Sequence, residues 1–203
     1  MTIAVVDYGI GNLRSAEKAL QHLGADARLT TSADDITGAD AVVLPGVGNF
    51  GACMSALHAS GLEPATRIAA TDGRPFLGIC VGMQMLFEGS DESPEAVGLG
   101  IVAGRITRLP AAVRLPQMGW NTLEARPGAR LLEGLPEPAW CYFVHTYAPE
   151  PADEADVAAW CDYGRRFAAA IERGPLWATQ FHPEKSGAVG LALLANFVKA
   201  AAA

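Results

Sequence analysis

"PFLGICVGMQ" (75–84) decides the fold of this chain. Phe76 to Ile79 form a short apolar run that reads as a buried strand, and a helix-like pattern follows from Val81, expected to run to about residue 89. Between them Cys80 sits with Gly78 on one side and Gly82 on the other. A strand, a glycine-bounded turn and a helix, with a nucleophile at the apex, make the nucleophile-elbow pattern with cysteine in place of serine. The glycines permit the sharp turn and a close approach of helix to strand. Such a turn lifts its side chain to the carboxyl end of a sheet, where open α/β folds bind ligands. It also sets the sulfur at a helix N-terminus, where partial positive charge favours an anion. The opposing reading is an inert core thiol, since cysteine is among the most buried residue types.

Outward from this turn, the first 90 residues alternate. "IAVVD" (3–7), "DARLTT" (26–31), "DAVVLPG" (40–46) and "PFLGI" (75–79) read as strands. Between the first two, Leu13, Ala16, Leu20 and Leu23 fall on one helical face that stops at Gly24. One or two further helices are expected between Phe50 and Thr71. This is the βαβ signature of a parallel sheet covered on both faces. The second half changes to short strand-like runs at 99–109, 118–125, 139–147, 156–164, 166–174 and 176–184, with a last helix from about residue 188. The pattern predicts an α/β fold: a flavodoxin-like mixed, largely parallel sheet flanked by helices, with additional antiparallel strands in the second half. No linker or repeat interrupts it, so residues 1–203 are expected to form one domain.

The bulk numbers narrow the function. Half the residues are hydrophobic and 18% are charged, which excludes a disordered chain. The net charge of −7 argues against nucleic acid as a partner. No basic, apolar leader opens the chain, and the apolar C-terminal stretch carries Asn196 and Lys199, so a membrane span is not expected and a cytoplasmic location is. The cysteines at 53, 80, 141 and 161 form no CxxC pair, so neither a disulfide framework nor a metal site is expected. Cys53, Cys141 and Cys161 keep the core reading. A metal site of Cys80, His145, His182 and Glu184 lacks ligand spacing.

Two more loops carry chemistry. In "QFHPEKS" (180–186), His182 and Glu184 are two residues apart and would share a side of an extended segment. That suits a carboxylate orienting an imidazole that serves the Cys80 thiol as base. In "PGVGNF" (45–50), closely spaced glycines free backbone N–H groups for an oxyanion hole. "GIGN" (9–12) lacks the third glycine of a dinucleotide loop.

Together these loops, in this chain order, resemble the class I, triad-type glutamine amidotransferases. "VDYGIGNLRS", "LPGVGNFG", "GICVGMQMLFEGS", "MGWN", "YFVHTY" and "QFHPEKS" carry the resemblance from residue 3 to 186. It implies Cys80 as nucleophile, His182 as base and Glu184 as its orienter. It implies the Val81 and Val47 N–H groups as oxyanion donors, with Gly48, Gln84 and the Thr146 and Tyr147 backbones holding glutamine. No cofactor is implied. Thr146 stands where the pattern has Ser and Val81 where it has Leu, and neither change removes a reactive group. "DYGIGNLRS", "MGWN" and "HPEKS" favour the branch that serves histidine biosynthesis. There, ammonia feeds a (β/α)₈-barrel cyclase subunit in a heterodimer. Few residues follow Glu184, too few for a second catalytic domain, so such a partner is expected over the site. Trp120, Asn121 and Lys185 are the candidate contacts, with core packing the alternative for Trp120. Rival readings are an amidotransferase for another pathway, a stand-alone cysteine hydrolase and a silent regulatory subunit.

Overall fold

The computed structural model describes residues 1–203. The first half runs β1 (Thr2–Val6), α1 (Leu13–His22), β2 (Asp26–Thr30), α2 (Ala33–Gly38), β3 (Ala41–Gly46), α3 (Phe50–Ala59), α4 (Glu63–Ala69), β4 (Phe76–Cys80) and α5 (Val81–Gln84). The second half runs β5 (Gly89–Ser90), β6 (Ser93–Val97), β7 (Gly104–Arg108), β8 (Gln117–Ala125), β9 (Ala139–His145), β10 (Tyr147–Pro151), β11 (Val157–Asp162), β12 (Arg166–Arg173), β13 (Leu176–Thr179) and α6 (Gly187–Ala201).

Nine strands form one sheet in the order β2-β1-β3-β4-β13-β12-β11-β8-β9. From β2 to β13 the neighbours are parallel, and from β12 outward each pairs antiparallel. Every residue of β3 and β4 is buried, as expected of parallel strands covered on both faces. Helix α1 packs with α6 and α2 with α4, which supplies the two covering layers. The remaining strands make a second sheet, β10-β7-β5-β6. No helix is long and apolar enough to cross a membrane.

The order places the chemistry. The chain leaves β1 for β2 on one side and returns across it to β3 on the other, so the connections diverge there. Ligands bind open α/β sheets at that crevice, outside the carboxyl ends of the strands. The loops after β1, β3, β4 and β13 all open on it, and they carry "GIGN", "GVGN", Cys80 and His182.

The segment after Cys80 departs from expectation. Helix α5 stops at Gln84 instead of running to about 89. Met83, Met85, Leu86 and Phe87 are all fully buried, so no face remains for a solvated helix. The N–H groups of residues 99–102 take the carbonyls of Met85, Leu86 and Phe87 in place of helical partners. For the same reason 99–103 is not strand, and the expected run 99–109 shrinks to β7. The run 139–147 is two strands in different sheets, parted at Thr146. The run 176–184 is strand only to Thr179. Helix α2 and strand β6 are additional elements.

Three glycines sit where β3, β4 and α5 meet. A Cβ on Gly82 would collide with the Leu44 carbonyl, and one on Gly46 would lie 2.7 Å from the Gly82 nitrogen. One on Gly78 would lie 3.0 Å from the Gly82 oxygen. Gly82→Ala is therefore expected to destabilise by roughly 3 kcal/mol or more, because backbone cannot yield as a side chain does. Gly38→Ala, with open space around it, should be neutral or stabilise by up to about 1 kcal/mol. Urea unfolding of the two variants beside the parent checks the contrast.

Candidate active site

Cys80 ends β4 with φ 56° and ψ −113°, and it is the one non-glycine residue with positive φ. Such a conformation costs on the order of 1–3 kcal/mol and persists only where its surroundings dictate it. Here the packed glycines leave no other path from β4 into α5. Because α5 is a single turn, its contribution to the site is its free N–H groups more than an extended helix dipole. Val81 is its first residue, so its N–H has no acceptor within the helix, and Val81 lines the cavity.

That cavity, about 550 Å³, is lined by Cys80, Val81 and Gln84 from the elbow, Val47 and Gly48 from the loop after β3, and His182 and Lys185 from the loop after β13. Gly11 and Asn12 after β1, Glu92, and the segment Val144–Tyr147 complete it, together with Pro116. The predicted elbow, base and glycine loop thus converge on one space.

His182 Nδ1 lies 2.8 Å from Glu184 Oε1, and both side chains are almost wholly buried. The pairing is not made in an extended segment, as the spacing suggested. Pro183 opens a single 3₁₀ turn, Pro183–Lys185, and the carboxylate folds back to the ring across it. Proline suits that first position because its fixed φ is already helical. The turn is tied to β9: the His182 N–H donates to the Tyr142 carbonyl at 3.0 Å, and the Tyr142 N–H donates to Ser186 Oγ at 3.0 Å.

The titration of the pair follows from a contest between burial and hydrogen bonding. Burial alone would lower the His182 pKa, but hydrogen bonding to Cys80 and Glu184 outweighs it and pushes the ring up to about 9. Burial works to raise Glu184, and hydrogen bonds from His182 and Asn12 outweigh it and hold the carboxyl below its usual range. Burial pushes Cys141 and Cys161 up to about 12, so these thiols stay protonated and unreactive.

Several residues at the site were not singled out by the sequence. Asn12 donates to Glu184 Oε1 at 2.9 Å. It occupies the N-cap of α1 yet makes no cap bond, because its amide turns to the carboxylate. The observed part of "GIGN" in the site is thus Asn12, as a hydrogen-bond partner of Glu184. Buried Gln180 donates to Cys80 Sγ at 3.8 Å and accepts from Gln84 Nε2 at 2.9 Å. Gln84 Nε2 also donates to the Tyr147 carbonyl at 3.1 Å, which leaves Gln84 Oε1 as its group for a ligand. Glu92 lines the cavity and accepts the Phe50 N–H at 2.7 Å, capping α3. A search for polar residues just beyond other parallel strands would have found Asn12. Nothing local marks Glu92.

His145 points its Nδ1 at the Tyr147 carbonyl, 2.9 Å away, and burial lowers its pKa to about 4. It is a neutral ring at the cavity wall. The Tyr147 carbonyl, with two donors already, has no lone pair left for a ligand, so its N–H is the group that remains. Trp120 is 54% exposed, so it is not core; its ring stands edge-on to Tyr142 with centroids 6.0 Å apart. Asn121 donates to the Asp162 carbonyl and accepts the Thr122 N–H, so its amide is engaged within the chain. Lys185 is exposed at the cavity.

Fold and site together define a class: an α/β protein with a cysteine elbow, a buried His–Glu pair and a glycine loop around one cavity. The class-I glutamine amidotransferase family model matches residues 4–201. The chain is 48% identical to the imidazole glycerol phosphate synthase subunit HisH of Methylococcus capsulatus, over 98% of this chain and 96% of the relative. It is 51% identical to the protein of the same name in Deinococcus radiodurans, over 96% and 92%. Among solved structures, a glutamine amidotransferase superposes with TM-score 0.77 at 23% identity, over 99% of both chains. A chain of the PurLQS structure from Thermotoga maritima superposes with TM-score 0.70 at 18% identity, over 99% of this chain and 97% of the other. The chain belongs to the class-I glutamine amidotransferases, in the branch of the HisH subunits. It is an enzyme of glutamine amide chemistry.

The raised His182 pKa gives a sign. Its stabilisation is fully present below the unfolded value of 6.5 and is lost as pH rises through about 9. In an NMR titration the ring should hold its proton until about pH 9, and Cys80→Ala should move the midpoint down. An unmoved midpoint would show that the thiol and ring are not coupled.

Proposed function

We propose that this chain is the glutaminase subunit of imidazole glycerol phosphate synthase, with residues 1–203 working as one amidotransferase domain. It hydrolyses glutamine and passes ammonia to a (β/α)₈-barrel cyclase subunit in a cytoplasmic heterodimer. The cyclase then makes imidazole glycerol phosphate and an aminoimidazole carboxamide ribonucleotide. The observation that carries this reading is the convergence of a strained Cys80 and the buried His182–Glu184 pair in one cavity, in a chain about half identical to the HisH subunits.

In this reading the Cys80 thiolate attacks the side-chain amide carbon of glutamine. The imidazolium of His182 gives its proton to the departing ammonia. Glu184, itself held by Asn12, keeps the ring oriented. The oxyanion lies between the N–H groups of Val81 and Val47. Water, activated by the now neutral ring, attacks the γ-glutamyl thioester, and glutamate leaves with the thiolate restored. Gly48, Gln84 Oε1 and the Thr146–Tyr147 segment hold the amino-acid end, with the Glu92 carboxylate placed for its ammonium group.

Ammonia freed in water takes up a proton and stops being a nucleophile, which is the chemical reason for a docked partner. The exposed face of β8 and β9 suits one. Met118, Trp120 and Trp140 are exposed there beside Tyr142 and Val144, and Val144 and Lys185 border the cavity. Exposed aromatic clusters of this kind mark interaction surfaces. Gly46 and Gly48 flank Val47, and we hold that its peptide turns into the site only when the partner binds.

Mixed with the cyclase and its nucleotide substrate, the chain should release glutamate far faster than alone. Full turnover by the isolated chain would refute the partner-driven loop. Cys80→Ala should cut glutamine-dependent synthesis by roughly 10⁴-fold or more while ammonia-dependent synthesis continues. Glutamine-dependent synthesis untouched by that change would end the enzyme reading. Trp120→Ala should weaken the complex by about 2 kcal/mol in a calorimetric titration.

A further inference from the structure

The loop after β3 is held from beneath by two side chains that the chemistry above leaves unused. Tyr8, just past β1, donates its hydroxyl to the Pro45 carbonyl at 2.8 Å. Cys53, in the first turn of α3, donates its thiol to the Val47 carbonyl at 3.2 Å. Both are buried. Burial raises both pKa values, so both groups keep their hydrogens and remain donors. Cys53 is therefore more than the inert core thiol that its place on a helix suggested.

The two carbonyls belong to peptides one apart in the chain. Pro45 O is part of the Pro45–Gly46 peptide, and Val47 O is part of the Val47–Gly48 peptide. Between them lies the Gly46–Val47 peptide, which carries the Val47 N–H. A peptide plane rotates by opposed changes in the ψ before it and the φ after it, and its neighbours stay in place if they are anchored. Gly46 is anchored a second time: a Cβ there would lie 2.9 Å from the Tyr8 hydroxyl and 2.7 Å from the Gly82 nitrogen. The backbone is thus fixed on both sides of one peptide and against the elbow itself.

We propose that Tyr8 and Cys53 are positioning residues that pin the two peptides flanking Gly46–Val47. They aim the Val47 N–H at the oxyanion and confine any reorientation of the loop to that single peptide. The proposal rests on the reading of Val47 as an oxyanion donor in glutamine hydrolysis. An S–H···O bond is weak in water, but this one is buried and holds a carbonyl with no competing solvent. Releasing it lets the Val47–Gly48 plane turn at Gly48, which holds φ +85°, so the Gly46–Val47 peptide loses the fixed far end that keeps its N–H on one bearing.

The test uses the complex with the cyclase. Glutaminase kcat and KM are measured for the parent, Cys53→Ala, Cys53→Ser and Tyr8→Phe. Inhibition by a glutamine-derived aldehyde is measured beside them, because its thiohemiacetal with Cys80 places an oxyanion in the hole. Cys53→Ala and Tyr8→Phe should lower kcat about tenfold, below the roughly 10²–10³-fold of removing a donor outright. KM should stay within about twofold, and the aldehyde should weaken in step with kcat. Cys53→Ser, whose hydroxyl reaches the same carbonyl, should recover most of the loss. Variants that match a working parent in kcat and aldehyde affinity overturn the pins while leaving the function intact. So does a loss spread equally over KM, kcat and thermal stability, which is the mark of a merely loosened fold. A parent complex that releases no glutamate overturns the function, and the pins with it.

Discussion

The structure depends on one steric arrangement: backbone packed against backbone where β3, β4 and α5 meet. Gly46, Gly78 and Gly82 have no side chains, so the first turn of α5 lies directly on the Leu44 and Gly46 backbones. The chain leaving β4 must then reverse within one residue, and that residue is Cys80 with its positive φ. The strain is sustained because β4 is held on both edges, by β3 and by β13, in a fully buried strand. The same contact fixes the start of the glycine loop against the elbow. Cys80 and the candidate oxyanion donors are thus parts of one packing event, set before any side-chain chemistry begins.

The electrostatics are built on that frame. His182 and Glu184 are buried, and burial opposes the charge of each. What keeps them charged is the other, together with Cys80 and Asn12. Removing one member of such a set leaves a buried charge without compensation. The set therefore behaves as a unit, and single substitutions within it do not add. Asn12 matters here because it arrives from the far end of the chain, on the loop after β1. Helix α1 packs on α6, which brings that loop beside the one after β13.

What the sequence made legible, and what it hid, follows from range. The elbow and the His-Pro-Glu run are local patterns whose geometry is decided within a few residues, and both are found in place. The parallel half of the sheet was readable because its strands are continuously apolar. Asn12, Gln180 and Glu92 were not, since each acquires its role from a residue on another loop. Helix α5 is shorter than its pattern suggests because carbonyls that a helix would satisfy are taken by residues 99–102. Strand β6, with Pro94 and Glu95 in its middle, has the composition of a turn. Cys53 lies on an ordinary helical face, and its partner is a backbone atom, which no side-chain pattern displays.

The antiparallel half of the sheet has a role that its distance from Cys80 conceals. Strand β9 is the last in the sheet, and its outer edge would be bare if the His182–Ser186 turn did not cover it. Tyr142 is the point of attachment: its carbonyl takes the His182 N–H and its N–H goes to Ser186 Oγ, while Ser186 Oγ donates to the His182 carbonyl at 2.7 Å. The Tyr142 ring stands against exposed Trp120 on the proposed docking face. Three residues further along, His145 at the end of β9 meets the Tyr147 carbonyl at the start of β10, which also takes the Gln84 amide beneath the cysteine. In the proposed complex, a partner seated on Trp120 would press on a strand hydrogen-bonded at Tyr142 to His182 and reaching, through His145 at its end, the Tyr147 carbonyl that also holds Gln84. Neither link requires a long pathway: the proposed docking face and the His182 contact lie on β9, and the Gln84 contact lies two residues beyond its end.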